Sequence, residues 1–166
     1  MKDLTITTII RECSFEELPV SDRELVECAK EMTRNAYAPY SHFHVGAAIE
    51  LADGRVVLGA NQENAASPSG TCAERSACFQ AGAIAPGVPF RKIAIAAWTE
   101  LRKPEGLDYE EYFQDSPISP CGSCRQALLE YETMGKAPVE VILYGRRRCY
   151  IFPSIASLLP YCFTEF

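Results

Sequence analysis

Apolar positions along the chain follow helical spacing in three segments. In the first, Ser21 and Glu24 have the S-x-x-E spacing of a capping box, and small or apolar residues then recur three or four positions apart. This helix should end before Pro39, because a proline ring cannot continue a helix. Residues 72–85 and 121–132 show the same spacing. The pattern therefore predicts three main helices.

Between these helices lie apolar runs that are typical of β-strands. Residues 43–51 and 56–60 are joined through an Ala-Asp-Gly turn, which predicts a hairpin. Residues 93–98 and 139–144 are continuous apolar runs, the pattern of strands buried on both faces. Weaker strand patterns are found at 4–10 and 149–152, and a last helical turn at 155–159. The alternation of strands with helices predicts an α/β fold with a largely buried mixed sheet.

Composition and charge narrow the class of protein. The chain has 166 residues without a repeat or linker, so we expect one domain spanning 1–166, with 1–19 as an N-terminal extension of unassigned role. A net charge of −6 argues against binding nucleic acid through its phosphates. No run reaches the ~18 apolar residues of a membrane span, and no signal peptide is recognised. Residues 100–119 and the Arg146–Arg148 turn should be solvated surface.

Eight cysteines are the unusual feature of the composition. They make up about 5% of the chain, below the ~8–10% that is typical of disulfide-stapled secreted domains. We therefore expect a soluble, cytoplasmic protein with reduced thiols, some of which bind metal.

The spacing of three cysteines points to zinc. Cys121 and Cys124 form a C-x-x-C at the start of one predicted helix, and Cys72 opens another. A helix N-terminus stabilises the thiolate form that zinc requires. Three protein ligands leave one tetrahedral position for water, as in catalytic zinc sites. The alternative is a closed structural site with a fourth cysteine, such as Cys78 or Cys149.

Glu74 is the candidate proton carrier. It follows Cys72 by two residues, a spacing that does not place two helical side chains on one face. From the first helical turn, its carboxylate could still lean over the open metal position. There it could take a proton from water on the metal and pass it to a substrate nitrogen.

The zinc segments match the deaminase signature H-x-E…P-C-x-x-C, with cysteine in place of the histidine. The chain resembles the homotetrameric, three-cysteine branch of the cytidine deaminases well beyond these segments. The further matching blocks are A-P-Y-S-H-F-H-V-G-A-A at 38–48, G-A-N-Q-E-N-A at 59–65, and L-L-P with the following phenylalanine at 158–163.

The resemblance implies a three-layer α/β/α fold around a central mixed sheet of about five strands. It also implies a homotetramer with one zinc ion per subunit, acting on a small-molecule nucleoside. The reaction would be hydrolytic deamination of cytidine and deoxycytidine to uridine and deoxyuridine with release of ammonia, as part of pyrimidine salvage.

The resemblance also assigns roles to individual residues. The implied zinc ligands are Cys72, Cys121 and Cys124, with Glu74 as the proton shuttle and Arg75 bonded to the thiolates. The implied substrate contacts are Phe43 stacking on the pyrimidine, Asn61 and Glu63 at the ribose 3′-hydroxyl, the Ala73 amide and Ser119 carbonyl at the base, and Phe163 closing the pocket.

Two departures from the family pattern stand out. Residues 99–118 form a segment more than a dozen residues longer than in many relatives, although loop length costs little free energy. Ser67 stands where relatives often have a tyrosine that reaches a neighbouring active site, which weakens one expected contact between subunits. His42 and His44 match no ligand position, and we expect structural or partner-facing roles for them.

Several plainer interpretations stay open on residues alone. Phe43 could be a core residue, and Asn61 with Glu63 could serve only to shape a loop. At the level of function, the alternatives are a deaminase of a related nucleoside or base, a deaminase that edits nucleic acid, and a zinc-stabilised binding module without turnover. The net charge disfavours the nucleic-acid alternative.

Overall fold

A computed structural model describes residues 1–102, 106 and 108–164, which form a six-stranded mixed sheet with helices on both faces. The helices are α1 (Val20–Met32), α2 (Ala73–Ile84) and α3 (Gly122–Gly135). The strands are β1 (Arg11–Cys13), β2 (Phe43–Leu51), β3 (Val56–Ala60), β4 (Phe90–Thr99), β5 (Glu140–Tyr144) and β6 (Cys149–Phe152). None of the helices in the described part of the chain is long and apolar enough to cross a membrane.

The sheet has the strand order β1-β6-β5-β4-β2-β3, with β4 and β5 parallel and every other neighbouring pair antiparallel. A parallel pair needs a crossover connection, and α3 supplies it here. Ile49, Ile95 and Leu128 belong to the core under α2 and α3. Val26 and Ala94 belong to the core on the opposite face, under α1. The predicted α/β/α layering is confirmed, although the sheet has six strands rather than about five.

The N-terminal region departs from the sequence-based prediction. Residues 4–10 form no strand and are mostly exposed, and β1 lies instead at Arg11–Cys13, where it pairs with β6. The predicted capping box is also wrong, because α1 begins at Val20 with Pro19 as its N-cap and no side-chain cap. The Pro19 carbonyl accepts hydrogen bonds of 3.0 Å from both the Asp22 and Arg23 amides. The helix therefore starts before Ser21 could cap it.

The long segment after β4 is not simply a solvated loop, as the sequence analysis expected. Residues 109–112 form a 3-10 turn, and the following Phe113 is only 3% exposed. Phe113 bridges to Trp98 of β4 and packs edge-on against Tyr144 of β5. The segment thus adds aromatic residues to the core on the α1 face.

A buried lysine joins this segment to α1. The Lys30 ammonium lies 5.4 Å from the ring centre of Phe15 and 5.0 Å from that of Tyr144. It forms ion pairs with Glu27 at 2.8 Å and with Glu110 of the long segment at 2.7 Å. A buried ammonium is tolerated only when it is paired in this way, so Glu110 holds the segment against the helix.

Two glycines allow helices to approach the sheet closely. A Cβ atom at Gly59 of β3 would lie 2.9 Å from the Cα of Ala77 in α2, and closer still to the carbonyl oxygen of Ala73. A Cβ atom at Gly46 of β2 would similarly lie 2.8 Å from the Thr33 amide nitrogen after α1. These contacts set the height of each helix above the sheet.

Candidate metal centre and active site

The amino-terminal ends of α2 and α3 meet beside the sheet, and three cysteines lie at this junction. Cys72 is the N-cap residue of α2, Cys121 is the N-cap residue of α3, and Cys124 lies in the first turn of α3. Both helix ends present free amide groups and positive dipole ends, which favour thiolates. The fold therefore brings together the three cysteines that the sequence analysis selected.

The spacing of the three sulfur atoms suits zinc. Cys72 Sγ lies 3.9 Å from Cys121 Sγ, which lies 3.4 Å from Cys124 Sγ, and all three sulfurs are within 4.8 Å of one another. Zn–S bonds of about 2.3 Å at tetrahedral angles require sulfurs about 3.8 Å apart. The observed spacing fits one zinc ion with three cysteine ligands.

A fourth cysteine does not join this group. Among the described residues, the three cysteines are the one cluster of His, Cys, Asp or Glu with metal-binding spacing. The Cys78 thiol instead faces the Ala127 carbonyl at 3.9 Å, and burial raises its pKa to about 12. Cys149 is buried in β6, on the α1 side of the sheet. The closed four-cysteine alternative therefore has no support in the described part of the chain.

Glu74 is buried beside the cysteines in the first turn of α2, with 3% of its surface exposed. Burial, reinforced by the negative charge of Cys72, raises the pKa of its carboxyl group to about 7. The Cys72 thiol has its pKa lowered to about 5, first by a hydrogen bond from Cys124 and further by Cys121 and Arg75. A carboxyl group with a pKa near neutrality thus lies next to the three cysteines.

Arg75 balances the charge of this cluster. Burial lowers the pKa of its guanidinium, but the neighbouring Cys72 and Cys124 outweigh burial and raise that pKa. Its Nε atom is buried with no hydrogen-bond partner among the described residues. Three thiolates around a divalent cation carry excess negative charge, and an adjacent cation offsets it.

A cavity of about 460 Å³ opens beside Cys72. Its walls are formed by Tyr40, Asn61, Gln62, Glu63, Asn64, Ala65, Ser67, Gly70, Thr71, Cys72 and Arg75. It brings together four of the residues that the sequence analysis selected. Its size lies within the ~300–1,000 Å³ that is usual for small-molecule sites.

The two predicted sugar contacts are held in different ways. The Glu63 Oε2 atom accepts hydrogen bonds from the amides of Tyr40 at 2.9 Å and Ser41 at 3.2 Å. The Asn61 side chain accepts a hydrogen bond from the Val45 amide at 2.8 Å and donates one to the Phe43 carbonyl at 2.9 Å. Asn61 therefore ties the end of β3 to β2, and Glu63 caps the turn that precedes β2.

The other predicted substrate contacts do not line this cavity. Phe43 packs half-buried against the core under α2 and α3, and Ala73 is fully buried. The Ser119 hydroxyl accepts a 2.7 Å hydrogen bond from Arg125. The Phe163 side chain is 64% exposed, and its carbonyl accepts a hydrogen bond from Gln126.

Arg125 is a site residue that the sequence analysis missed. It donates hydrogen bonds of 2.8 Å to the carbonyls of Pro120 and Leu158, in addition to its bond to Ser119. These bonds hold the backbone that leads into Cys121, the N-cap residue of α3. A positively charged side chain near the N-terminus of a helix interacts unfavourably with the helix dipole. The presence of an arginine there could therefore have indicated a specific role for it.

Comparisons with known proteins agree with this site. The family model described as the cytidine and deoxycytidylate deaminase zinc-binding region matches residues 19–139. A cytidine deaminase of Sporosarcina psychrophila is 36% identical over 86% of this chain and 90% of its own. A probable cytidine deaminase of Dictyostelium discoideum is 31% identical over 88% of both chains.

Solved structures of cytidine deaminases also match this chain. The crystal structure of cytidine deaminase from Burkholderia pseudomallei is 39% identical, with a TM-score of 0.68 over 84% of this chain and 97% of that one. The corresponding structure from Mycobacterium tuberculosis is 28% identical, with a TM-score of 0.65 over 89% of this chain and all of that one. The chain belongs to the zinc-dependent cytidine deaminase family.

Proposed function

We propose that this protein deaminates cytidine and deoxycytidine hydrolytically, yielding uridine or deoxyuridine and ammonia. The observation that carries the proposal is the junction of two helix N-termini, where three cysteine sulfurs lie beside a buried glutamate. Zinc held by Cys72, Cys121 and Cys124 would supply a water-derived nucleophile at neutral pH. One zinc ion per subunit matches the three-ligand set.

Glu74 is proposed to move the protons of the reaction. Water adds at C4 of the pyrimidine, and Glu74 carries one proton from that water to N3. The remaining hydroxyl proton passes by the same carboxylate to the amino group, which leaves C4 as ammonia. Burial of Glu74 excludes competing solvent and keeps the carboxyl group beside the reacting atoms.

The other proposed roles concern binding and orientation. Phe43 would stack on the pyrimidine, and the Ala73 amide with the Ser119 carbonyl would hydrogen-bond its polar edge. Asn61 and Glu63 would bind the ribose 3′-hydroxyl, since both line the cavity beside Cys72. Phe163 would close the pocket, and Arg75 would offset the charge of the thiolates.

The experiment that tests this function follows ammonia release from cytidine, deoxycytidine, cytosine and single-stranded DNA. We expect release from both nucleosides. Glu74→Gln should retain zinc but lose about 10²–10⁴-fold in kcat, the range typical of general acid–base groups. Cys121→Ala should lose zinc and turnover together.

Other outcomes would favour other functions. Stoichiometric zinc without release from either nucleoside would favour a binding module, and release from single-stranded DNA alone would favour a nucleic-acid editor. Near-full activity of Glu74→Gln would refute the proton-shuttle role. Removal of zinc with a chelator should abolish turnover, and its replacement should restore it.

We also propose a cytoplasmic homotetramer. The family resemblance supports the tetramer, and the unpaired cysteines support a reducing compartment. Phe163 would then contribute to the pocket of its own or a neighbouring subunit. Analytical ultracentrifugation tests the assembly, and an active monomer would refute it.

A further inference from the structure

Three polar side chains meet at the start of β2 and have no part in the proposed chemistry. The Glu100 carboxylate lies 3.0 Å from His42 Nδ1 through one oxygen and 3.0 Å from His44 Nε2 through the other. We call these three residues the Glu100 clamp. Phe43 lies between the two histidines in sequence and, since side chains alternate along a strand, points to the opposite face of the sheet.

Both histidines donate to the same carboxylate. An ionised carboxylate accepts hydrogen bonds only, so the His42 Nδ1 atom must carry the proton of its bond to Glu100. His44 Nδ1 is buried with no hydrogen-bond partner among the described residues, and a proton there would be an unpaired buried donor. The tautomer that fits His44 therefore carries its proton on Nε2 and also donates to Glu100.

The clamp holds a strained residue. His42 has a φ of 54°, in the left-handed region that costs a residue other than glycine free energy unless its surroundings impose it. The His42 carbonyl accepts hydrogen bonds from the Glu100 amide at 2.9 Å and the Thr99 hydroxyl at 3.2 Å. Together with the side-chain bond, Thr99 and Glu100 supply three hydrogen bonds that impose this conformation.

The strained residue ends a turn that forms a wall of the cavity. The His42 amide donates to the Ala38 carbonyl at 3.0 Å, which closes the turn of residues 38–42. Tyr40 of this turn lines the cavity, and its amide binds the carboxylate of Glu63. The Ser41 hydroxyl accepts a hydrogen bond from the Phe43 amide at 3.1 Å. Both Glu63 and Phe43 are thus attached to the turn that the clamp secures.

We propose that Glu100 is a positioning residue for nucleoside binding, which acts by bridging His42 and His44 and so holds the 38–42 turn in its binding conformation. This inference rests on the proposed function, because Phe43 and Glu63 are its substrate contacts. Glu100 touches no reacting atom, so its loss should weaken binding of the nucleoside and leave the chemical step of the bound complex intact.

The test compares steady-state kinetics of Glu100→Ala with wild type. If the turn stays in its binding conformation in about one molecule in ten, KM for cytidine rises about tenfold, because apparent affinity scales with the competent fraction. We expect kcat to change less than about twofold and zinc content to be unchanged. Glu100→Gln should give a smaller rise, since its amide oxygen can accept from only one of the two imidazoles.

A second readout follows the clamp without relying on turnover. Trp98 is the only tryptophan in the chain, and its ring stacks on His44 with centroids 3.9 Å apart and planes 4° apart. Releasing His44 should change the intensity of tryptophan emission in Glu100→Ala. The matched control is Asp53→Ala, which removes an exposed ion pair of 2.6 Å with Arg55 at the turn between β2 and β3 and should change neither KM nor emission.

The outcomes separate the two proposals. A raised KM with unchanged kcat, accompanied by altered emission in Glu100→Ala alone, supports the clamp. An unchanged KM, a fall in kcat as large as the rise in KM, or unchanged emission overturns it while leaving the proposed function intact. A wild-type protein that neither binds nor turns over cytidine overturns the proposed function, and the role of the clamp with it.

Discussion

Replacing Gly59 with alanine should disturb the metal centre although Gly59 touches no zinc ligand. The added Cβ would lie 2.9 Å from Ala77 Cα, whereas ordinary contact begins at 3.4 Å, so α2 must retreat from β3 by at least 0.5 Å. Metal–ligand distances tolerate only about 0.2 Å. Because Cys72 caps α2 and Cys121 caps α3, the retreat would separate thiolates that must reach the same ion.

Gly59→Ala should lower both the stability of the fold and the affinity for zinc. Overpacking of this kind costs about 1–3 kcal/mol of unfolding free energy, which lowers Tm by roughly 2–12 °C in a chain of this size. Zinc affinity should fall about 10–100-fold, the range seen when the support of a metal ligand is disturbed. Thermal unfolding measures the first quantity and competition with a chromogenic chelator the second, while cytidine turnover is followed with and without added zinc.

Two control variants test whether the loss of zinc affinity is specific to the contact between Gly59 and α2. Gly46→Ala presses on α1 at the opposite face, so it should lower Tm while leaving zinc affinity within about threefold of wild type. Gly122→Ala adds a methyl group to open space beside the cysteines and should be tolerated. Wild-type zinc affinity in Gly59→Ala, or an equal loss of affinity in Gly46→Ala, would refute the proposed coupling between β3 and the metal centre.

Three further changes have defined outcomes. Arg125→Ala removes the bonds that hold the chain before Cys121 and should lower zinc affinity about 10–100-fold in the chelator assay, whereas unchanged affinity would contradict that role. Phe113→Ala should cost about 3–5 kcal/mol in urea unfolding, and a cost below about 1 kcal/mol would show that the long segment is not part of the core. Burial lowers the pKa of Lys30, but hydrogen bonds to Glu110 and Glu27 outweigh the effect of burial and raise this pKa. The ion pairs of Lys30 therefore stabilise the fold below about pH 10.4, and this stabilisation is lost as the pH rises through the pKa of the folded state. The unfolding free energy lost in Lys30→Met should therefore shrink as the pH rises through the raised pKa of Lys30, and a constant difference would refute the assignment.

Local patterns were sufficient to predict most of the secondary structure. The periodicity of α2 and α3 and the apolar runs of β4 and β5 are properties of short windows, so the sequence identified them. β1 was placed wrongly because its position depends on pairing with β6, more than a hundred residues away. The start of α1 was misplaced because Pro19 caps it through its carbonyl, an interaction that competes with the Ser21 pattern.

Part of the candidate site could also be predicted from local sequence patterns, and part could not. The spacing of Cys121 and Cys124 and the position of Cys72 at another predicted helix start selected all three cysteines before the resemblance was considered, so this cluster could be predicted before the fold was known. The Glu100 clamp could not be found in that way, because Glu100 and His42 meet only through the pairing of β2 with β4. Residues 100–119 were misjudged because their acidic residues concealed Phe113, which packs inside the core.

The 49-residue separation between Cys72 and Cys121 has a consequence for the order of folding. In a zinc finger the ligands are near neighbours in the chain, so the metal can organise an otherwise unfolded peptide. Here the starts of α2 and α3 must lie side by side before one ion can reach all three sulfurs. We therefore expect the complete ligand set, and the cross-link that zinc would form through it, to be made late in folding. The main effect of zinc should be to slow unfolding rather than to speed folding.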